Sequence, residues 1–208
     1  MGHHPSPFAP AACAVAVVCA VAALLPACAA PYEAPRVLTE DAVVLPLPVV
    51  EQDKLYECGL VSLSSLCHYY RVDVPDDLRD ALIKLALDRH GLSGEEVSNA
   101  LHTLGMEVWI FEGALDRSPT GLLRQVDEGR PVLVMTGEED DRHYVLFIGY
   151  DEVPGNVCVL DPLRGQVVWP MSTFDRIWSQ ARRFSLLAVP EKLAANGAPA
   201  AAIAESRP

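Results

Sequence analysis

The sequence predicts an α+β fold in which N-terminal helices pack on an antiparallel β-sheet. Two observations support this fold class. In the first half of the folded part, apolar residues recur every three or four positions, which is typical of amphipathic helices. The second half consists of short runs rich in Val, Ile and aromatic residues, which are typical of strands. A block of helices followed by a block of strands favours α+β over an alternating α/β arrangement.

Three helices are predicted in the first block. The first covers residues 57–70, where leucines recur at three-residue spacing. The second starts after Pro75, which suits the first turn of a helix, and ends at Gly91. The third opens on a capping-box pattern formed by Ser93 and Glu96.

Six strands and two short helices are predicted in the second block. The strands cover residues 107–111, 131–136, 143–150, 156–161, 166–169 and 184–189, and the helices cover residues 122–126 and 172–178. Pro154 and Gly155 lie between the third and fourth of these strands and predict a hairpin there.

The first 32 residues of the 208-residue chain contain no Asp, Glu, Lys or Arg. Residues 11–25 form an apolar run that is shorter than the roughly 18 residues of a membrane span and fits the apolar region of a secretory signal peptide. The following Leu-Pro-Ala-Cys sequence resembles a bacterial lipobox, which implies a signal peptide over residues 1–27 and lipidation of Cys28. Without lipidation the same signal would give a soluble secreted protein. The residues before the run carry no Lys or Arg, so an uncleaved anchor or a buried helix stays an alternative.

Composition divides the remaining chain into three parts. Residues 28–48 contain four prolines and no sustained periodicity, and are predicted to be a linker. Residues 49–191 form the predicted folded domain, and the Ala-rich residues 192–208 a flexible tail. The 28 acidic and 16 basic residues give a net charge of −12, which argues against binding nucleic acid or docking electrostatically on anionic lipid.

Cys58 is the candidate nucleophile. It lies at the start of the first predicted helix, where free N–H groups and the helix dipole favour a thiolate. Most free cysteines are simply small buried residues, and this position weakens that interpretation. Gly59 leaves the neighbouring backbone approachable. Gln52, six residues before Cys58, is placed to donate a hydrogen bond that would complete an oxyanion hole with the Cys58 N–H.

His143 and Asp161 are the candidate base and its orienting group. His143 begins one strand of the predicted hairpin, and Asp161 ends the other. The hairpin places residue 146 opposite about residue 161, so His143 would reach Asp161 if a bulge shifts the register. A carboxylate there would fix the imidazole tautomer. A lone histidine is more often structural, but its combination with Cys58 favours a catalytic site.

The motifs around these residues resemble the papain-like cysteine peptidases, and within them the C39 family of bacteriocin-processing, double-glycine peptidases. Residues 52–59 resemble the family's Gln-x5-Cys-Gly nucleophile motif. His143-Tyr144-Val145 and Asp161-Pro162 resemble its histidine and aspartate motifs. Further similar segments follow in the same order within residues 49–189: 69–70, 91–96, 105–108, 129–131, Phe174 and Trp178.

The resemblance implies a papain-like fold and a cysteine peptidase that needs no cofactor. Cys58 would be the nucleophile, His143 the base, Asp161 the orienting carboxylate and Gln52 an oxyanion donor. The substrate would be a peptide or protein cut after small residues such as Gly-Gly. Because the chain is itself predicted to be an exported lipoprotein of the cell envelope, held to the membrane by its lipid, an envelope or cell-surface peptide is as open a substrate as a bacteriocin leader.

Two alternatives belong to other functional classes. A degenerate relative would be a non-catalytic peptide-binding module of the cell envelope. A cell-wall amidase or a transglutaminase-type acyl transferase would share the Cys-His chemistry. The joint presence of Gln52, Cys58, His143 and Asp161, and the spacing of the first two, favour the peptidase.

The other cysteines of the folded domain are predicted to be structural. Cys67 and Cys158 are expected to be two buried thiols rather than a disulfide. No Cys-x-x-Cys pair occurs in the sequence, so no zinc or other metal site is predicted.

Overall fold

The computed structural model describes residues 36–48, 56–138 and 141–194, and in these residues it contains seven strands and six helices. The helices are α1 (Cys58–Tyr69), α2 (Asp76–Arg89), α3 (Gly94–Thr103), α4 (Leu122–Asp127), α5 (Met171–Gln180) and α6 (Glu191–Ala194). The strands are β1 (Val43–Val44), β2 (Met106–Glu112), β3 (Val132–Thr136), β4 (His143–Asp151), β5 (Asn156–Asp161), β6 (Gly165–Pro170) and β7 (Phe184–Pro190).

All seven strands belong to one antiparallel sheet with the order β2-β7-β3-β4-β5-β6, and β1 pairs with β4. A first apolar cluster joins α1–α3 to one face of the sheet and includes Leu63, Leu101 and Leu146. A second cluster joins α4 and α5 to the other face and includes Phe147 and Trp178. The predicted α+β class, with helices packed on an antiparallel sheet, is confirmed.

The predicted start of the third helix is also confirmed. The Ser93 hydroxyl accepts a hydrogen bond from the Glu96 backbone N–H at 3.2 Å, and the Glu96 carboxylate accepts one from the Ser93 N–H at 2.8 Å. This reciprocal pair satisfies two N–H groups that have no partner within the helix. It thereby fixes where α3 begins beside the N-terminal end of α1.

The hairpin formed by β4 and β5 contains a bulge. Asp151 lies opposite Asn156, whereas Leu146 lies opposite Leu160, so the register shifts by one residue between Phe147 and Gly149. The sequence places residue 146 opposite about residue 161, and the extra residue, Ile148, accounts for the difference. Because strand side chains alternate between faces, a one-residue shift decides which face Asp161 occupies.

The described part of the stretch predicted to be a linker, residues 36–48, packs on the sheet. Val43 and Val44 pair with Tyr150 and Gly149, and Leu45 is buried in the second apolar cluster. A strand of two residues is too short to produce a detectable periodicity, which is why composition suggests a linker.

Three predictions concern residues near the ends of the chain. Helix α6 includes the first residues of the stretch predicted to be a tail, and its Ala194 is buried. The predicted signal peptide and Cys28 lie outside the described residues. In the described ranges no helix is both long enough and apolar enough to cross a membrane.

Candidate active site

Cys58 is the first residue of α1, as predicted. Burial alone would raise the pKa of its thiol. A hydrogen bond with His143, hydrogen bonds with the Tyr144 and Gly59 backbone, and the positive charge of His143 together lower the pKa below the ordinary value. Each of these contacts stabilises the thiolate rather than the thiol. The surroundings of Cys58 thus favour its thiolate over its thiol.

His143 begins β4 and connects the thiol to a carboxylate. Its Nε2 lies 2.8 Å from Oδ1 of Asp161. Since Nε2 is engaged with Asp161, Nδ1 is the nitrogen that is left for Cys58. Burial lowers the pKa of His143, but hydrogen bonds with Asp161 and Cys58 and their negative charges raise it to about 9. The imidazole therefore carries its proton at neutral pH.

Asp161 ends β5 and is 2% exposed at its side chain. Its Oδ1 also accepts a hydrogen bond from the Leu163 backbone N–H at 2.9 Å, and Arg164 Nε lies 3.7 Å from Oδ2. Burial raises the pKa of Asp161, and the contacts with His143, Leu163 and Arg164 lower it below the ordinary value. A charged carboxylate in this position keeps His143 protonated and oriented.

The β4 bulge brings His143 and Asp161 to the same face of the sheet. The pair Leu146–Leu160 continues by one residue to Val145 opposite Asp161. Val145 and His143 are two residues apart on one strand, so their side chains leave the same face. Without the bulge, Asp161 would lie opposite Leu146 and point to the other face.

The structure thus brings three of the predicted site residues together, namely Cys58, His143 and Asp161. Gln52 lies outside the described residues. Two backbone contacts were not anticipated: the one from Tyr144 to Cys58 and the one from Leu163 to Asp161. The second is an Asx-type turn, and the Asp-Pro-Leu sequence was a signal that could have revealed it.

Tyr144 packs beneath the start of α1 and supports the position of Cys58. A Cβ atom added to Gly59 would lie 3.2 Å from the Tyr144 ring, so the helix and the ring are in close contact. Ser62, one turn along α1, donates a hydrogen bond to the Tyr144 carbonyl at 3.4 Å. These contacts join the helix that carries the thiol to the strand that carries His143.

Cys67 and Cys158 differ from Cys58 in their exposure and in the direction in which their pKa values are shifted. Both are free thiols and fully buried, as predicted. Burial raises the pKa of each to about 12. Of the three described cysteines, Cys58 alone has a lowered pKa.

The chain is similar to solved peptidase structures along most of its length. A double glycine motif protease from an AMS/PCAT transporter, solved in complex with the leader peptide, is 22% identical; the match covers 74% of this chain and 96% of that one, with a TM-score of 0.55. The peptidase domain of Streptococcus ComA, a bi-functional ABC transporter involved in quorum sensing, is 18% identical over 71% and 98% of the two chains, with a TM-score of 0.55. A Bacillus anthracis protein described as a C39-like peptidase is 19% identical over 72% and 98%, also with a TM-score of 0.55.

At these identities the three structures establish the fold. No curated protein matches the chain in sequence. The profile of the peptidase C39 family matches residues 46–190, which include α1, the whole β4–β5 hairpin and the three assembled site residues. The chain therefore belongs to the peptidase C39 family.

Proposed function

We propose that this protein is a cysteine peptidase in which Cys58 is the nucleophile, His143 the general acid and base, and Asp161 the group that orients His143. The observation that carries the proposal is the continuous contact from the Cys58 thiol through His143 to Asp161. The pKa of Cys58 is lowered while that of His143 is raised to about 9, which favours a thiolate–imidazolium pair at neutral pH. This pair is the reactive form of a thiol peptidase.

Acylation begins when the Cys58 thiolate attacks the carbonyl carbon of the scissile peptide bond. The carbonyl electron pair moves to oxygen and forms a tetrahedral oxyanion. As the C–N bond breaks, His143 donates its proton to the departing amine and becomes neutral. The products of this half-reaction are a free amine and an acyl group held as a thioester on Cys58.

Deacylation reverses the role of His143. The neutral imidazole removes a proton from a water molecule, whose oxygen attacks the thioester carbonyl. Collapse of the second tetrahedral intermediate breaks the C–S bond and releases a carboxylic acid. Cys58 returns as the thiolate and His143 as the imidazolium, so the starting pair is restored.

The oxyanion is proposed to be stabilised by the backbone N–H of Cys58 and the side-chain amide of Gln52. The support for Gln52 is its six-residue spacing before Cys58 in the Gln-x5-Cys-Gly motif. Removing one oxyanion donor typically costs about 3–4 kcal/mol of transition-state stabilisation. Gln52→Ala is therefore expected to lower kcat by roughly 10²–10³ with a smaller effect on KM.

Cleavage is proposed to follow small residues such as Gly-Gly. The support is the family, together with the similar structure of a double glycine motif protease bound to a leader peptide. A cleft that admits only backbone near the thiolate would explain such a preference. The substrate is proposed to be a peptide or protein with an extended, glycine-containing segment.

A non-catalytic peptide-binding module is the alternative. Peptide binding alone requires neither a thiolate nor a carboxylate in contact with the histidine. Holding buried charged groups costs free energy, so their retention favours catalysis.

Incubation of the protein with peptides that contain one Gly-Gly step, followed by mass spectrometry of the products, tests the proposal. Cleavage after the second glycine by the wild type, and its loss in Cys58→Ala, is the expected result. The matched control is Cys67→Ala, which removes a buried thiol elsewhere on α1 and should retain activity. Equal cleavage by Cys58→Ala would exclude the mechanism, and binding without cleavage would favour the alternative.

We also propose that the protein is exported and anchored through a lipid on Cys28. The support is the apolar run of residues 11–25 and the lipobox-like sequence that ends at Cys28. In a bacterial host, wild-type protein should fractionate with membranes and Cys28→Ala should be released into the soluble fraction. A mature N-terminus other than Cys28 in the membrane fraction would contradict lipidation.

A further inference from the structure

Residues 36–47, which we call the strap, precede α1 and lie along the β4–β5 hairpin. The match to the C39 family begins at residue 46, so nearly all of the strap lies before it. Leu45 is buried, and Leu38, Val44 and Leu47 pack against the apolar clusters. The strap is therefore an integral part of this domain that the family pattern does not include.

The strap is fixed to the hairpin by a buried carboxylate. Asp151, the last residue of β4, is 1% exposed. One of its oxygens accepts a hydrogen bond from the Thr39 N–H at 2.7 Å and the other from the Thr39 hydroxyl at 3.0 Å. If the strap left this position, the buried carboxylate would lose both donors, which is costly.

The strap also contacts the bulge itself. The Leu45 N–H donates to the carbonyl of Ile148, the extra residue of the bulge, at 2.8 Å. Next to it, the strap approaches so closely that a Cβ atom on Gly149 would lie 2.5 Å from the Val43 carbonyl oxygen. A real Cβ atom does not tolerate that distance, so glycine at this position is what lets the strap contact the bulge.

We propose that the strap is a positioning element for the active site: by holding the bulge at Ile148, it keeps Asp161 on the face of the sheet where His143 meets it. Thr39 and Gly149 are the positioning residues, and neither touches the reacting atoms. The inference rests on the proposed function only in the role given to His143 in catalysis. The contact itself is a property of the fold.

The physical reason is a competition between two hairpin registers. With the bulge, extending the Leu146–Leu160 pair by one residue places Asp161 opposite Val145, on the face of the sheet that His143 shares. In the regular register Asp161 would lie opposite Leu146 and its side chain would turn to the other face. The strap stabilises the bulged register because its contacts with the Ile148 carbonyl and with Gly149 are made in that register.

Gly149→Ala tests this directly. The φ angle of Gly149 is not positive, so the backbone at this position accepts alanine. The added Cβ atom conflicts with Val43 and Val44 of the strap. The titration of His143 is followed by NMR of its imidazole nitrogens in the full chain. In the wild type we expect a pKa of about 9. In Gly149→Ala we expect a shift toward the ordinary value of about 6.5, with kcat lowered roughly 10- to 100-fold and KM nearly unchanged.

Thr39→Val provides a milder second test, because it removes the hydroxyl but keeps the shape of the side chain. It should lower the pKa of His143 in the same direction, and Thr39→Ser should restore the wild-type value. Thr103→Val is the matched control, since the Thr103 hydroxyl donates a hydrogen bond to the Asn99 carbonyl at an exposed position of α3. In Thr103→Val, His143 should titrate as it does in the wild type.

A folded Gly149→Ala protein in which His143 still titrates near 9 would overturn the inference. If Gly149→Ala does not fold, the test rests on Thr39→Val. A titration of His143 in Thr39→Val that is identical to the one in Thr103→Val would then overturn the inference. The result is separable from the peptidase proposal. If the wild type cleaves no peptide but the titrations shift as described, the positioning role stands and the catalytic role fails.

Discussion

Nε2 of His143 lies 2.8 Å from Oδ1 of Asp161, although the two residues are 18 positions apart and begin and end different strands. Two features of the hairpin allow this contact. The turn between β4 and β5 brings the strands together, and the extra residue Ile148 shifts their register by one. The charge state of the proposed catalytic pair depends on this contact, because it is the largest influence that raises the pKa of His143.

The pH dependence of peptide cleavage should reflect this raised pKa. His143 must carry a proton to the leaving amine, so kcat/KM should fall as pH rises, with a midpoint at about 9. On the acidic side, activity should persist below the ordinary cysteine range, because the pKa of Cys58 is lowered. A pH–rate profile measured at constant ionic strength checks both limits. An alkaline midpoint near the ordinary histidine value of about 6.5 would contradict the assignment.

The same titration should appear in the stability of the fold. The pKa of His143 is higher in the folded chain than in the unfolded one, so the protonated imidazole stabilises the folded state. This contribution is complete below the unfolded pKa of about 6.5 and is lost as pH rises through about 9. Urea unfolding of the wild type and of His143→Ala between these two pH values should show a difference that shrinks at higher pH. A constant difference would argue against the raised pKa.

Asp161→Asn should separate two effects of Asp161 on His143, namely its orientation of the imidazole and its negative charge. Asparagine keeps an oxygen that can accept the hydrogen bond from His143 but removes the negative charge. The alkaline limit of kcat/KM should therefore move to lower pH, and its maximum should fall roughly 10²-fold. Asp175→Asn is the matched control, because Asp175 pairs with Arg183 on the surface. An unchanged alkaline limit in Asp161→Asn would mean that Asp161 does not set the pKa of His143.

The sequence was sufficient to predict most of the fold and to select three residues, Cys58, His143 and Asp161, that the structure brings together. Periodicity located α1–α3, and the capping box located the start of α3, because both depend on local patterns. The joint occurrence of Cys58, His143 and Asp161 predicted the site, and the motifs around these residues indicated the family.

The bulge and the strap could not be located from local patterns. The bulge at Ile148 depends on which strand lies on each side of β4, and a bulged residue looks like any other apolar residue in the sequence. The strap has prolines and a strand of only two residues, so its composition resembles that of a linker. Gly149 becomes informative only when the Val43 carbonyl is known to approach it.

Trp178 should be a major contributor to the second apolar cluster. It is fully buried, and its indole N–H donates a hydrogen bond to the Phe184 carbonyl at 3.0 Å. Trp178→Phe leaves a cavity and removes the hydrogen bond to the partly buried Phe184 carbonyl, and should lower the free energy of unfolding by about 2–4 kcal/mol. Urea denaturation at neutral pH measures the loss. Trp169→Phe on the partly exposed β6 is the control, and an equal effect of the two changes would contradict this account of the core.

Pairing with His143 is expected to stabilise the Cys58 thiolate and to hold the pKa of Cys58 below the ordinary cysteine value. The most direct measurement is the rate at which iodoacetamide alkylates Cys58 as a function of pH, with the modified residue identified by peptide mapping. We predict a midpoint below the ordinary cysteine pKa in the wild type and a shift of the midpoint to higher pH in His143→Ala. A rate that rises about tenfold per pH unit up to the ordinary cysteine pKa of about 8.5, in wild type and variant alike, would contradict the claim.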